Sequence, residues 1–136
     1  MQKHIILTNG RSGSNYLSNL LNTHPQIVNY GEVLGKWTLP YKLHTRLGLG
    51  GRSATDYLDY ILTSPSFFYM GQLYSILSHF KKGKKINFKL WSQVKTIGIK
   101  DFSINFVKRN IKDYLRDHQD ILVINLYREN QLKRIV

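Results

Sequence analysis

The chain predicts an α/β fold, a parallel sheet flanked by helices, and three observations lead there. Ile5-Ile6-Leu7 and Ile121 to Leu126 are continuous apolar runs rather than alternating ones, the mark of strands covered on both faces. Segments with apolar residues at helical spacing stand between the strand-like runs. Each strand-to-strand connection is therefore long enough for a right-handed crossover, which places helices on both sides of one sheet.

Gln2 to Thr8 reads as the first strand and residues 14–23 as a helix that stops before Pro25. Gln26 to Tyr30, carrying Ile27-Val28, reads as a second short strand leading into Gly31-Glu32. Residues 33–52 are the least regular part, punctuated by Gly35, Pro40, Gly48, Gly50 and Gly51. Their charges, Lys36, Lys42, Arg46 and Arg52, alternate with Trp37, Tyr41 and His44, a composition suited either to a solvated loop or to a lip over an anionic or sugar acceptor.

Ser53-Ala54-Thr55-Asp56 has the spacing of a helix start, with Tyr57, Leu58, Ile61 and Leu62 following at helical spacing. After Pro65, the residues Met70, Leu73, Tyr74, Leu77 and Phe80 share a helical face that is expected to enter the core. Lys81-Lys82-Gly83-Lys84-Lys85 is a basic turn, solvated or touching an acidic acceptor or lipid head groups. Val94 to Lys100 reads as the third strand. Ile104, Val107, Ile111, Tyr114 and Leu115 mark one helix, with Lys108, Arg109 and Lys112 on its wet side. Ile121 to Leu126 is the strongest strand and is expected to be buried throughout. Gln131 to Val136 then starts a helix, so the chain is expected to be a single domain, 1–136, truncated at its C-terminus.

Twenty Lys and Arg against eight Asp and Glu give a net charge of +12, which selects for anionic partners. With no cysteine, neither disulfides nor thiolate metal sites are available. No apolar run approaches the roughly 20 residues of a membrane span, and the first strand begins too early to leave room for a signal peptide. A cytoplasmic protein is the expectation, with the membrane surface open as a place of work.

The chemistry concentrates where the first strand ends. Thr8-Asn9-Gly10-Arg11-Ser12-Gly13-Ser14 is a small-residue loop between a strand and a helix, the layout that aims backbone N–H groups and a helix N-terminus at an anion. It lacks the lysine of the G-x-x-x-x-G-K-[ST] nucleotide loop and is not the G-x-G-x-x-G fingerprint. Asp101 is the one candidate for a carboxylate that would hold a metal at a strand end. Sulfuryl transfer suits an anion loop working without metal, because a sulfuryl group carries less negative charge than a terminal phosphoryl. Positioning and electrostatic stabilisation of an in-line displacement then suffice.

Thr8 to Leu17 resembles the 5′-phosphosulfate loop of sulfotransferases that use 3′-phosphoadenosine 5′-phosphosulfate (PAPS), whose carbohydrate-type and bacterial members show an R-S-G-[ST]-[ST]-x-L core. His24-Pro25, Gly31-Glu32 and Gly98-Ile99-Lys100 also resemble that family, and Val123 to Asn130 is similar to its 3′-phosphate segment. The resemblance implies the P-loop-like sulfotransferase fold, PAPS as sulfuryl donor, no metal, and a hydroxyl acceptor on a carbohydrate or glycolipid. It implies that Arg11 contacts the 5′-phosphosulfate, that Ser12, Gly13, Ser14 and Asn15 cradle the 5′-phosphate, and that Arg128 clamps the 3′-phosphate. Glu32 takes the place of the catalytic base, with His44 the runner-up, and Lys100 is placed to reach the sulfuryl group. The chain departs from the family pattern in having Asn15 where Ser or Thr is usual and Val136 where a serine partners the 3′-phosphate arginine. Two alternatives stand beside this reading. One is a basic module binding nucleic acid or another polyanion, which the absence of a recognisable nucleic-acid motif disfavours. The other is a phosphotransferase with an atypical loop.

Overall fold

The structure is a computed structural model and describes residues 1–129; the helix expected over Gln131 to Val136 lies outside them. Four strands form one parallel sheet in the order β2-β3-β1-β4. β1 (Gln2–Thr8) is central, between β3 (Thr96–Phe102) and β4 (Ile121–Leu126), and β2 (Ile27–Asn29) pairs beyond β3. In this register Thr8 sits opposite Phe102 on one side and Leu126 on the other, so three strands reach their carboxyl ends along one edge.

Successive side chains of a strand point to opposite faces of the sheet. On one face lie Ile5, Ile99 and Ile121, closed by Tyr57, Leu58, Ile61 and Leu62 of α3 (Ala54–Thr63) together with Phe106, Ile111 and Tyr114. The cap read from sequence is present there: the Asp56 N–H donates to Ser53 Oγ at 3.0 Å.

The other face is covered by α1 (Ser14–Thr23) through polar contacts. Ser18 Oγ donates to Asn29 Oδ1 at 2.7 Å, and Asn29 Nδ2 stands 2.9 Å from His4 Nε2. Asn29 Oδ1 also accepts from the Gly31 N–H, so the amide nitrogen is the donor toward His4 and the imidazole proton is assigned to Nδ1. His4 Nδ1 is buried and has no hydrogen-bond partner among the described residues, and burial pushes the His4 pKa down. Gly98 gives the imidazole its space, since a Cβ there would fall 2.5 Å from His4 Cγ.

Four expectations are corrected. The irregular stretch 33–52 contains a helix, α2 (Leu39–Leu47), ended by Gly48 in the left-handed conformation that glycine tolerates best. In α4 (Pro65–Lys81) the stripe expected in the core faces solvent: Leu73, Tyr74 and Phe80 are 60, 65 and 76% exposed, and Met70 and Leu77 are exposed with them. Only Phe67 and Phe68, in its first turn, are buried in the helix.

The helix expected from Ile104 to Leu115 is two short ones, α5 (Ser103–Lys108) and α6 (Tyr114–Asp117), parted near Asn110 at φ 55°. Asn105 Nδ2 donates to Asp101 Oδ1 at 2.7 Å, which turns Asn105 and Phe106 inward and leaves Ile104 and Val107 outside. β4, expected to be buried throughout, exposes Leu122 and Val123, because it pairs with β1 alone among the described strands and forms an edge.

Candidate functional site

The site is built where β1 and β3 end. Thr8 Oγ1 lies 2.6 Å from Ser12 Oγ and accepts the Gly10 N–H at 3.2 Å, folding the loop back over the strand that leads into it. Gly10, Arg11 and Gly13 have φ of 87°, 47° and 82°, so three of four consecutive residues are left-handed. Such a path turns successive N–H groups toward a common concavity. Glycine is needed most at position 10, where a Cβ would come 3.3 Å from the Phe102 ring in addition to the strain of positive φ.

Helix α1 begins directly after Gly13, with no side-chain cap and no acidic residue in its first turn. Its positive end therefore has no acidic side chain within its own first turn. Gly13 and Asn15 are exposed, Ser12 is half-buried and Ser14 is buried.

Lys100, on β3, joins this loop to the segment after β2. Its side chain is almost wholly buried, and Nζ donates to Asn15 Oδ1 at 2.7 Å and to Glu32 Oε1 at 2.5 Å. The ammonium also stands 5.6 Å from the centre of the Phe102 ring. Glu32 Oε2 accepts from Trp37 Nε1 at 3.1 Å. Three residues singled out from sequence, Asn15, Glu32 and Lys100, are thus in direct contact although Lys100 is 85 and 68 positions from the other two.

A frame of buried bonds fixes the turn that carries Glu32. The Gly31 N–H donates to Asn29 Oδ1 at 2.9 Å and Gly31 O accepts the Lys100 N–H at 3.1 Å. Val33 N and Leu34 N both donate to Asp101 Oδ2, at 2.9 and 2.8 Å. Tyr57 OH donates to Val33 O at 2.7 Å, and the Arg109 guanidinium donates to Leu34 O at 3.1 to 3.2 Å while lying 4.4 Å from the Tyr41 ring. Burial and the nearby Asp101 carboxylate push the Tyr57 phenol pKa up, so its hydroxyl stays a donor.

Asp101, weighed above as a metal holder, has another task. It is fully buried and its two oxygens accept four donors: Val33 N, Leu34 N, Phe102 N and Asn105 Nδ2. Among the described residues no three His, Asp or Glu side chains gather as metal ligands.

Arg11 and Arg128 follow the carboxyl ends of neighbouring strands. Arg11 comes three residues after Thr8, and Arg128 two after Leu126, the partner of Thr8 across the sheet. His44 does not join them: on α2 its Nδ1 stands 2.9 Å from Leu49 O, its ring stacks on Tyr57 at 4.4 Å, and it borders a separate cavity. Tyr41, Arg52, Lys108 and Arg109 also line this open cavity of about 560 Å³, joined to the Glu32 turn through Arg109 and Leu34.

Phe102 and the His4–Asn29–Ser18 chain escaped the sequence reading as parts of this site, and the bonds of Thr8 to Ser12 and of Trp37 to Glu32 were not foreseen. Their partners lie far along the chain or are single hydroxyls and amides, and periodicity carries no trace of such pairings. Compared with protein-family models, with curated proteins and with solved structures, the chain matches none.

Proposed function

We propose that this chain is a PAPS-dependent sulfotransferase domain of the P-loop-like kind, moving a sulfuryl group to a hydroxyl of a carbohydrate or glycolipid acceptor. The observation that carries the reading is the Asn15–Lys100–Glu32 contact beside the glycine loop. It puts a buried cation, a partly exposed carboxylate and a helix N-terminus with no acidic residue in its first turn at one sheet edge. In-line transfer asks for that combination: donors and cations for an anionic group, and a proton acceptor next to them.

In this reading the N–H groups of Ser12, Gly13, Ser14 and Asn15 hold the 5′-phosphate of the donor, and Arg11 neutralises its phosphosulfate. Arg128, beyond the adjacent strand, takes the 3′-phosphate. Glu32 accepts the proton of the acceptor hydroxyl as that oxygen bonds to sulfur. The bond from sulfur to the bridging oxygen breaks, and adenosine 3′,5′-bisphosphate leaves with the electron pair on its 5′-phosphate oxygen. Lys100 gives up its hydrogen bond to Glu32 and turns its charge to the sulfuryl oxygens. Trp37, by holding the second oxygen of Glu32, keeps the carboxylate aimed.

Thermal unfolding with adenosine 3′,5′-bisphosphate tests the reading. At a hundredfold excess over Kd, binding to the folded chain alone stabilises by about 2.7 kcal/mol. A rise of several degrees in Tm is expected, and Arg11→Ala abolishes it. No rise with the native chain sinks the proposal. A rise with ATP that strictly needs Mg²⁺ assigns phosphoryl transfer instead, and a salt-sensitive response to any oligonucleotide, with none to the bisphosphate, assigns a polyanion-binding module.

A further inference from the structure

We propose that the outward face of α4, together with the segment 84–91 that runs back along it, docks on a membrane surface rich in anionic lipid. At 3.6 residues per turn, Tyr69, Met70, Leu73, Tyr74, Leu77 and Phe80 fall within roughly 140° of one another around the helix. All six are 42 to 76% exposed. Behind them the helix offers Gly71, Gln72, Ser75 and Ser78, so beyond its first turn the apolar side faces out and the small polar side faces in.

Three hydrogen bonds lay the returning chain beside this stripe. Lys84 N donates to His79 O at 2.9 Å, Gln72 Nε2 donates to Lys89 O at 2.8 Å, and Trp91 N donates to Tyr69 OH at 3.2 Å. Within the segment, Asn87 and Lys89 turn inward to the carbonyls of Asn22 and Ile27. Ile86, Phe88 and Leu90 alternate with them and are 43, 53 and 44% exposed. The apolar surface is therefore continuous from the helix onto its neighbour, far beyond single exposed side chains.

Charge decides the occupant. Lys81, Lys82, Lys84 and Lys85, all exposed, stand at one end of the stripe, and no Asp or Glu occurs between Asp59 and Asp101. A second copy would set two acid-free basic faces against each other. A nucleic acid would engage the lysines and leave the apolar side chains in water. An anionic bilayer surface offers both halves at once, head groups for the lysines and acyl chains for the leucines and rings. No described helix is long and apolar enough to cross a membrane, so the contact is interfacial. This surface stands independently of sulfuryl transfer.

Co-sedimentation with vesicles of equal parts phosphatidylglycerol and phosphatidylcholine tests it. The chain is expected to pellet with these and to stay in solution with pure phosphatidylcholine. Changing Lys81, Lys82, Lys84 and Lys85 to Gln lowers partitioning by roughly several hundredfold, since each lysine contributes about fivefold near an anionic surface. Leu73→Ser with Leu77→Ser and Phe80→Ser lowers it by a similar factor with Tm unchanged, because these side chains are exposed. Should the triple variant unfold, Leu77→Ser and Phe80→Ser singly are expected to lose about tenfold each. Absence of binding to the anionic vesicles overturns the proposal, as does equal binding by the folded stripe variant. A dimer in sedimentation equilibrium that the stripe variant dissociates also overturns it, by assigning the face to a second copy.

Discussion

Each end of β2 is fastened by a buried lysine, and the two are fastened differently. At the amino end, Lys89 Nζ donates to Ile27 O at 2.5 Å and to Asn22 O at 2.8 Å. Both partners are carbonyls, and burial pushes the Lys89 pKa down. At the carboxyl end, Lys100 meets the Glu32 carboxylate and the Asn15 amide. The first lysine pins a loop to a strand; the second brings a cation and a carboxylate together on the edge where strands end. Burial alone does not tell the two lysines apart. The charge of the partner and the place on the sheet do.

The comparison breaks most readily at the carboxyl end. Asp101→Ala would orphan the N–H groups of Val33, Leu34 and Phe102, and is expected to destabilise by about 3–5 kcal/mol, read as a lower urea midpoint. An unchanged midpoint would show that the Glu32 turn does not depend on this carboxylate. Lys100→Met leaves Glu32 without its cation. The Glu32 side chain is 21% accessible and partly solvated, so a loss of about 2 kcal/mol is expected rather than the full penalty of a buried charge. Glu32→Gln in the same chain should recover most of it. Equal losses with and without Glu32→Gln would mean that Lys100 stabilises through packing alone.

His4, in the frame that leads to Gly31, supplies the pH dependence. Its pKa lies below 6.5 in the folded chain, so as pH falls below 6.5 the unfolded chain takes up a proton first. Its contribution is fully present above that value and is lost through the window beneath it. The drop in stability between neutral and mildly acidic pH is expected to shrink in His4→Gln, measured by urea unfolding at both. An identical drop would place the titration elsewhere.

Lys89→Met sharpens the other end and has the smallest effect. Two carbonyls lose a donor while an unbalanced charge leaves the interior, so the change at neutral pH is expected to stay within about 1 kcal/mol. With its folded pKa below 10.5, Lys89 in the native chain sheds its desolvation penalty as pH climbs toward that value, and stability rises with it. The variant should lack that rise. A loss comparable with that of Lys100→Met would erase the distinction between the two ends.

Much of the frame was legible beforehand. β1 and α1 span the expected residues, because Ile5-Ile6-Leu7, the small-residue loop and Pro25 are local signals. Ser53 announced α3 through a cap that needs only its own next three residues. Of the site, the glycine loop was legible, and Glu32 and Lys100 stood out as single residues. Their contact was not, nor was the use of Asp101 as a bracket for Val33 and Leu34. Those bonds span nearly seventy positions, and no short window of sequence contains both partners. α4 misled for a related reason: periodicity says that a helix has an apolar face, and leaves open which way it turns.

Local stereochemistry thus determined the strands, the left-handed glycine loop and the helix that follows it, since each depends on neighbours a few residues away. Tertiary structure alone decided that β4 is an edge among the described strands, that the stripe of α4 faces outward, and that Lys100 closes on Glu32 and Asn15. These outcomes depend on which surfaces compete for burial once the sheet has formed. That competition is among distant parts of the chain.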